Sequence, residues 1–467
     1  MLISVQNILG GQRSAFGVQC LEIELPLSKS ESNRALMILH YAKSQSLRDA
    51  ETQSVMSDSD DTVLLQKHLN TLNKYLQGSL SGDYCPLTLE LDCHNAGTVF
   101  RFLMTAVAVA ETQSRRDTKF KVDSQTRYLS TSASQHLSIL LTGSDRMKNR
   151  PIDSLVDALR SLGVVIEYKG REGYPPILVR GGRIEGGRVE VGAEQSSQFA
   201  SSLLLAAPLW KDGLELHLTG NLSSLPYIDM TIDMMRQCGI DVLRNERDIT
   251  VKPGRYNIEN IKVEPDWSAA AFWYEMASFS DNAEILLKNL NINSMQADAT
   301  AIKMFETLGV ETAAVEEGVV VKKTTRSIDA ETQSSAFSVQ RSEFNFKDCP
   351  DLFPAVIAAC AGNGVDATFT GLKNLSIKES DRKHAMMNEL SKIGISFEDV
   401  SDDELKMFCS EKLPYFSENN PIIFNNYDDH RIAMALSLLS MKIGTVSMEN
   451  TDVVSKSYPD FFKVINQ

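Results

Sequence analysis

Polar and apolar positions along this chain fall repeatedly into one local pattern. In DSLVDALRSLGVVIEY (153–168) apolar residues recur at helical spacing as far as Gly163, and a β-rich run follows. MTIDMMRQCGIDVL (230–243) repeats the pattern around Gly239, TAIKMFETLGVET (300–312) around Gly309, and HAMMNELSKIGISFED (384–399) around Gly394. Each predicts an amphipathic helix closed by a glycine in left-handed backbone, then a strand. The copies stand roughly 70 to 85 residues apart, a spacing longer than solenoid periods. A repeated supersecondary unit with helices packed on sheets follows, in the α/β (α+β) class.

A second set of segments is apolar nearly all round and opens on polar residues. These are PLSKSESNRAL (26–36), NAGTVFRFLMTAVAVA (95–110), SSQFASSLLLAAPL (196–209), PDWSAAAFWYEMA (265–277), PDLFPAVIAACAG (350–362) and DDHRIAMALSLLS (428–440). Apolar faces on every side predict buried helices. Ser28 and Glu31 have the spacing of a capping box, so the first of them should start near Lys29. Helix starts attract anions through unpaired N–H groups and partial positive charge. One such start is an ordinary capped helix; six of them point to a shared anion-binding cleft.

Charge and composition narrow the ligand. The chain has 467 residues, enough for two or three domains, and a formal net charge of −14. That balance argues against a general nucleic-acid surface. It leaves room for small anions held by local Lys and Arg. Seven scattered cysteines without a CxxC pair indicate a reduced, cytoplasmic setting. The seven dispersed histidines form no pattern for zinc or haem. No apolar run is long enough for a membrane span, and the first residues lack the pattern of a signal peptide. The pentapeptide AETQS occurs at 50–54, 110–114 and 330–334 and is expected in surface loops.

Four further stretches bring cations and carboxylates together. LTGSDRMKNRPI (141–152) sets Arg150 before Pro151, which favours extended backbone. SIKESDRKHAM (376–386) places Lys378, Glu379, Asp381 and Arg382 at a helix start, with Ser380 as the expected N-cap. NYDDHRIAM (426–434) puts His430 and Arg431 on a first helical turn, and VVSKSYPDFF (453–462) carries Lys456. Arginine suits bidentate binding of carboxylate and phosphate. A carboxylate held near cations can serve as base or acid.

Taken together, PLSKSESNRA, CHNAGTVFRF, LTGSDRMKNRPI, EQSSQFASSLL, LPYIDMT, CPDLFPAV, IKESDRKHAM, NYDDHRIAM and SKSYPDFF closely resemble the EPSP synthase family, the 3-phosphoshikimate 1-carboxyvinyltransferases. They fall in the family's order from about residue 20 to 465. The resemblance implies a two-domain inside-out α/β barrel, each domain holding three βαβαββ repeats. It divides the chain into 1–25 plus 266–467 and 26–265, with the active site in the cleft between the domains. It implies a monomer that needs no cofactor or metal and transfers the enolpyruvyl group of phosphoenolpyruvate to the 5-hydroxyl of shikimate 3-phosphate. Family roles imply that Lys29, Ser30, Arg34, Ser196, Ser197, Gln198, Ser224, Tyr227, Asp351, Asn374 and Lys378 bind shikimate 3-phosphate. They imply that Lys29, Gly97, Arg150, Gln198, Arg382, Arg431 and Lys456 bind phosphoenolpyruvate. Gly97 fits that role because a missing side chain lets a ligand lie against backbone.

Asp351 is the candidate base and Glu379 the candidate acid, with Lys29 and Lys456 stabilising charge or shuttling protons. His430 is expected to orient its neighbours. Two positions depart from the family pattern, Leu27 where glycine is usual and Leu225 where Lys or Arg is frequent. Rival readings are a UDP-N-acetylglucosamine 1-carboxyvinyltransferase and a non-catalytic anion-binding protein of the same fold. The first typically has a cysteine in a loop after the NAGT helix, and segment 141–152 has none.

Overall fold

The structure is a computed structural model, and it describes residues 1–3, 19–45, 56–76, 88–116, 138–192, 196–222, 224–259, 261–280, 283–323 and 342–465. The chain forms two compact units. The first comprises Met1–Lys29, Ser57–Asp60 and Val263–Gln467; the second comprises Ser30–Met56 and Asp61–Lys262.

The chain opens with β1 (Leu2–Ile3) and β2 (Gln19–Ile23) and continues through α1 (Lys29–Gln45) and α2 (Asp60–Leu76). The second unit then follows one recipe twice. β3 (Thr88–Asp92), α3 (Gly97–Arg116), β4 (Ser138–Thr142), α4 (Asp145–Lys148), α5 (Asp153–Ser161), β5 (Val164–Tyr168) and β6 (Ile177–Gly182) give a sheet of order β3-β4-β6-β5. β7 (Gly187–Gly192), α6 (Ser197–Ala206), β8 (Leu214–Thr219), α7 (Leu225–Gln237), β9 (Val242–Asn245) and β10 (Asp248–Val251) give order β7-β8-β10-β9. In each sheet the first two strands are parallel and the rest antiparallel. Among the described residues α1 and α2 stand where the third expected repeat of this unit would lie.

Back in the first unit come α8 (Trp267–Phe279), β11 (Ala283–Lys288), α9 (Ala301–Glu306), β12 (Val310–Val315) and β13 (Gly318–Lys323). Their sheet is completed by β2, in the order β12-β13-β11-β2. β2 runs parallel to β11 with Leu21 opposite Ile285, so this repeat has the second unit threaded through it. β14 (Ser342–Asn345), α10 (Phe353–Asn363), β15 (Ala367–Thr370), α11 (Arg382–Ser391), β16 (Ser396–Ser401) and β17 (Glu404–Phe408) repeat the order as β14-β15-β17-β16. β18 (Ile422–Phe424), α12 (His430–Leu438), α13 (Ser440–Ile443), β19 (Val446–Met448) and α14 (Phe461–Ile465) end the chain. Here β1 pairs with β19, giving β1-β19-β18.

Burial explains the layering. β3 and β8 alternate buried and exposed residues, so each sheet turns one face to helices. Every residue of α8 and of α12 is buried, and α10 is nearly as enclosed. Helices form the interior of each unit and sheets the outside, which is the inside-out arrangement. The four expected helix-closing glycines all adopt positive φ, 93° at Gly163, 82° at Gly239, 79° at Gly309 and 87° at Gly394. One expectation fails. The AETQS copy at 110–114 continues α3 as helix rather than forming a loop. The other two copies lie outside the described residues.

Candidate functional site

The candidate residues fall into one cluster per unit. In the second unit Arg34 is buried in α1, where Nε donates to Thr231 Oγ1 at 2.7 Å. NH2 donates to the Tyr227 carbonyl at 3.0 Å and to Ser201 Oγ at 3.3 Å, and NH1 to the Ser30 carbonyl at 2.7 Å. Burial lowers the guanidinium to about 10, an effect that Tyr227 and Glu31 partly offset. Ser196 caps α6, accepting the N–H of Gln198 at 3.2 Å, and Ser197 opens that helix. Gln198 then reaches back to α3, where its amide donates to Thr98 Oγ1 at 2.6 Å and accepts from Arg101 NH1 at 2.6 Å. Ser224 precedes α7 in left-handed backbone, with φ of 55°, and its side chain caps nothing.

Gly97 stands at the start of α3 against two guanidinium groups. A Cβ there would lie 2.6 Å from Arg150 NH1 and 2.8 Å from Arg101 NH1. Arg150, in the bend before Pro151, is buried. Arg101 was visible inside the NAGTVFRF motif, one helical turn beyond Gly97, yet sequence reasoning gave it no role.

In the first unit Asp351, Asn374, Lys378, Glu379, Arg382, Arg431, Lys456 and Lys29 occur together. Asp351 lies in a short 3₁₀ turn before α10. Its Oδ1 meets Arg382 NH1 at 2.7 Å and Lys378 Nζ at 3.3 Å, and its Oδ2 meets Arg431 NH2 at 3.0 Å. Burial pushes this carboxyl up, but Arg431, Lys378 and Arg382 outweigh it and hold the group well below the usual carboxylate range. Arg382 NH2 also meets Glu379 Oε2 at 2.9 Å, and Lys456 Nζ lies 3.4 Å from Glu379 Oε1. Asn374 is half-buried in the segment leading to Lys378.

Asp429 binds this network together and was missed as a site residue. It is fully buried and caps α12, accepting the Arg431 N–H at 3.0 Å. Its other oxygen accepts from Arg382 Nε at 2.8 Å and from the Ser380 hydroxyl at 3.0 Å. Ser380 is therefore not the N-cap expected for the following helix. Asp381 caps α11 instead, accepting from the His384 N–H. Asp266 plays a double part, capping α8 through Ser268 and Ala269 and accepting the Lys29 N–H at the start of α1. His430 is buried with neither ring nitrogen hydrogen-bonded among the described residues. Burial, then Lys29 and Arg431, keep it neutral, so it fills space beside the cations and orients no neighbour by hydrogen bonding.

This arrangement offers Arg382, Arg431, Lys378 and Lys456 to anions, beside two carboxyl groups able to exchange protons. Comparison with known proteins points the same way. Residues 19–465 match the family model of EPSP synthase (3-phosphoshikimate 1-carboxyvinyltransferase). The chain is 35% identical over 441 residues to the 3-phosphoshikimate 1-carboxyvinyltransferase of Bacteroides fragilis, covering 94% of this chain and 93% of that one. It is 30% identical over 467 residues to the protein of that name from Sulfurovum sp., covering 95% of each. Among solved structures, EPSP synthase from Acinetobacter baumannii superposes with a TM-score of 0.66 at 22% identity, covering 100% of this chain and 97% of that one. The enolpyruvyl transferase NikO from Streptomyces tendae superposes at 0.62 and 12%, covering 100% and 96%. The chain belongs to the EPSP synthase family.

Proposed function

We infer that the two clusters serve one reaction, transfer of the enolpyruvyl group of phosphoenolpyruvate to the 5-hydroxyl of shikimate 3-phosphate in aromatic amino acid biosynthesis. The observation that carries this reading is the Asp351–Arg382–Arg431–Lys378 network, together with a family match that spans residues 19–465. Lys29, Ser30, Arg34, Ser196, Ser197, Gln198, Ser224, Tyr227, Asp351, Asn374 and Lys378 take shikimate 3-phosphate. Lys29, Gly97, Arg150, Gln198, Arg382, Arg431 and Lys456 take phosphoenolpyruvate, and Arg101 joins them by holding Gln198.

The hydroxyl oxygen adds to C2 of phosphoenolpyruvate while a proton reaches its methylene carbon. Phosphate then leaves as that carbon gives a proton back. Asp351 accepts the hydroxyl proton and Glu379 serves the carbon, with Lys29 and Lys456 balancing charge. Ion-paired as it stands, Asp351 is a weak base. Substrate anions compete for Arg382 and Arg431, and each cation drawn away makes the carboxylate more basic. The base is thus strengthened only when substrate is present.

The test is phosphate release from purified protein given phosphoenolpyruvate, with shikimate 3-phosphate or UDP-N-acetylglucosamine as acceptor. Release with shikimate 3-phosphate alone supports the reading. Release with the nucleotide sugar alone assigns the rival acceptor, and release with neither overturns a catalytic role. Asp351→Ala should lower kcat about 10²–10⁴-fold while still binding shikimate 3-phosphate. No described helix is long and apolar enough to cross a membrane. We place the chain in the cytoplasm as a monomer, which light scattering on the purified protein checks.

A further inference from the structure

Glu389 lies two turns along α11 from Arg382, on the same side of that helix, and is 1% exposed. The motif residues assigned above do not include it. Both of its oxygens are engaged. Oε2 accepts the Asn425 N–H at 2.8 Å and pairs with Lys392 Nζ at 2.5 Å, and Oε1 accepts the Tyr427 hydroxyl at 2.9 Å. Lys392 continues to the Ile423 carbonyl at 3.1 Å. The residues gripped in this way lead from β18 towards α12.

That segment is held in costly backbone. Tyr427 and Asp428 both have a φ of 54°, in the left-handed region that crowds a Cβ. The Asn425 side chain accepts the Tyr427 N–H at 2.8 Å, and that of Asn426 accepts the Asp428 N–H at 3.0 Å. Two such residues in succession persist where their surroundings over-determine them. The next residue is Asp429, whose N–H donates to the Asn426 carbonyl at 2.9 Å and whose carboxylate holds Arg382. Helix α11 thus grips the loop at both ends, with Glu389 at its entry and Arg382 at its exit. The loop also reaches the 3₁₀ turn Thr451–Lys456. Asn426 Nδ2 donates to the carbonyls of Glu449 and Asn450 at 2.7 and 3.1 Å, and Asn450 Nδ2 to Asp428 Oδ1 at 2.5 Å. Asn450, itself left-handed with φ of 48°, directly precedes that turn.

We propose that Glu389 is a positioning residue for the phosphoenolpyruvate site, clamping residues 425–429 in their left-handed form so that Asp429 aims Arg382 and Asn450 sets the turn bearing Lys456. The inference rests on the reading that Arg382, Arg431 and Lys456 bind phosphoenolpyruvate. Released from the clamp, Tyr427 and Asp428 relax towards ordinary backbone. Asp429 then shifts from Arg382, and Asp428 from Asn450. Glu389 acts only through these contacts, so its loss falls on anion binding more than on proton transfer.

The experiment is steady-state kinetics of the full chain, with each substrate varied in turn, for Tyr427→Phe, Glu389→Gln and the double variant. Phenylalanine keeps the ring and removes only the hydroxyl. Each single variant should raise KM for phosphoenolpyruvate about tenfold, with KM for shikimate 3-phosphate within about twofold and kcat within about threefold. Both remove the same bond, so the second substitution should add less than about threefold to the first. A merely structural part would lower the urea midpoint and leave both KM values as they are. An unchanged KM for phosphoenolpyruvate, an equal rise for both substrates, or a hundredfold rise in the double variant overturns the proposal while leaving the reaction in place. Where Glu389→Gln fails to fold, Tyr427→Phe decides by itself. Absence of phosphate release by wild type overturns both readings.

Discussion

At position 97 the room for a side chain is already taken by guanidinium groups. Gly97→Ala should leave stability within about 0.5 kcal/mol, since Arg150 and Arg101 end in flexible side chains that can shift. The shift moves Arg150, however, and KM for phosphoenolpyruvate should rise about tenfold, as steady-state kinetics would read. Asp429 behaves in the opposite way. Its removal strips Arg382 of its most buried partner and α12 of its cap, so Asp429→Ala should cost about 3–5 kcal/mol in urea unfolding. The cations of both clusters were legible in the sequence because they sit beside glycines, prolines and helix starts with recognisable spacing. Asp429 and Arg101 were not, because their roles depend on partners far away in the chain. Asp429 looked like one more N-cap, and it is only the fold that brings Arg382 to it.

Helices show a different division. The glycine that ends each repeat's second helix is a local signal, written within a few residues, and all four sites adopt left-handed backbone. The AETQS copy at 110–114 shows how a local reading fails, since its polar residues simply extend a helix already begun by NAGTVFRF. Helix α8 carries an anomaly of its own. Glu275 is 0% exposed in its otherwise apolar body, and both carboxyl oxygens are without hydrogen-bond partners. Burial raises it well above its ordinary value of 4.5. The folded chain therefore keeps a proton that the unfolded chain loses above pH 4.5. Stability falls as pH rises from there, by up to about 1.4 kcal/mol per unit, until the folded group ionises too. Glu275→Leu should remove that slope. Its gain in urea midpoint should be larger at pH 8 than at pH 5, and an equal gain at both would contradict the account.

For the whole molecule, the repeat order was legible and the pairing of its first and last strands was not. Hydrophobic spacing cannot reveal that β2 joins β11, or that β1 closes the sheet of β18 and β19, because register between distant strands leaves no local mark. The two segments that lead out of and back into the first unit run side by side. The Ser28 N–H donates to the Glu264 carbonyl at 2.8 Å, and the Asp266 N–H to the Pro26 carbonyl at 2.9 Å. A chain in which Lys29 is joined to Val263 by a short glycine turn should therefore fold by itself. It forgoes the exposed contact of Ser455 with Asp60. One cooperative urea transition with near-ultraviolet circular dichroism would bear this out, and a gradual loss of signal would refute it.

The same threading sets a timetable during synthesis. β2 leaves the ribosome about 260 residues before β11, the neighbour it needs. At roughly 5–20 residues per second that is a wait of about 13–50 s with an unpaired strand edge in solution. Helices and sheets of the second unit can complete themselves in that interval, because all the strands they need arrive together. A ribosome-stalled chain ending after β10 should therefore resist protease within residues 88–116, 138–192, 196–222 and 224–251 and be cut near residues 19–29. Order of emergence thus makes β2 a substrate for chaperones, and gives this chain a dependence on them that a uninterrupted repeat of the same composition would not have.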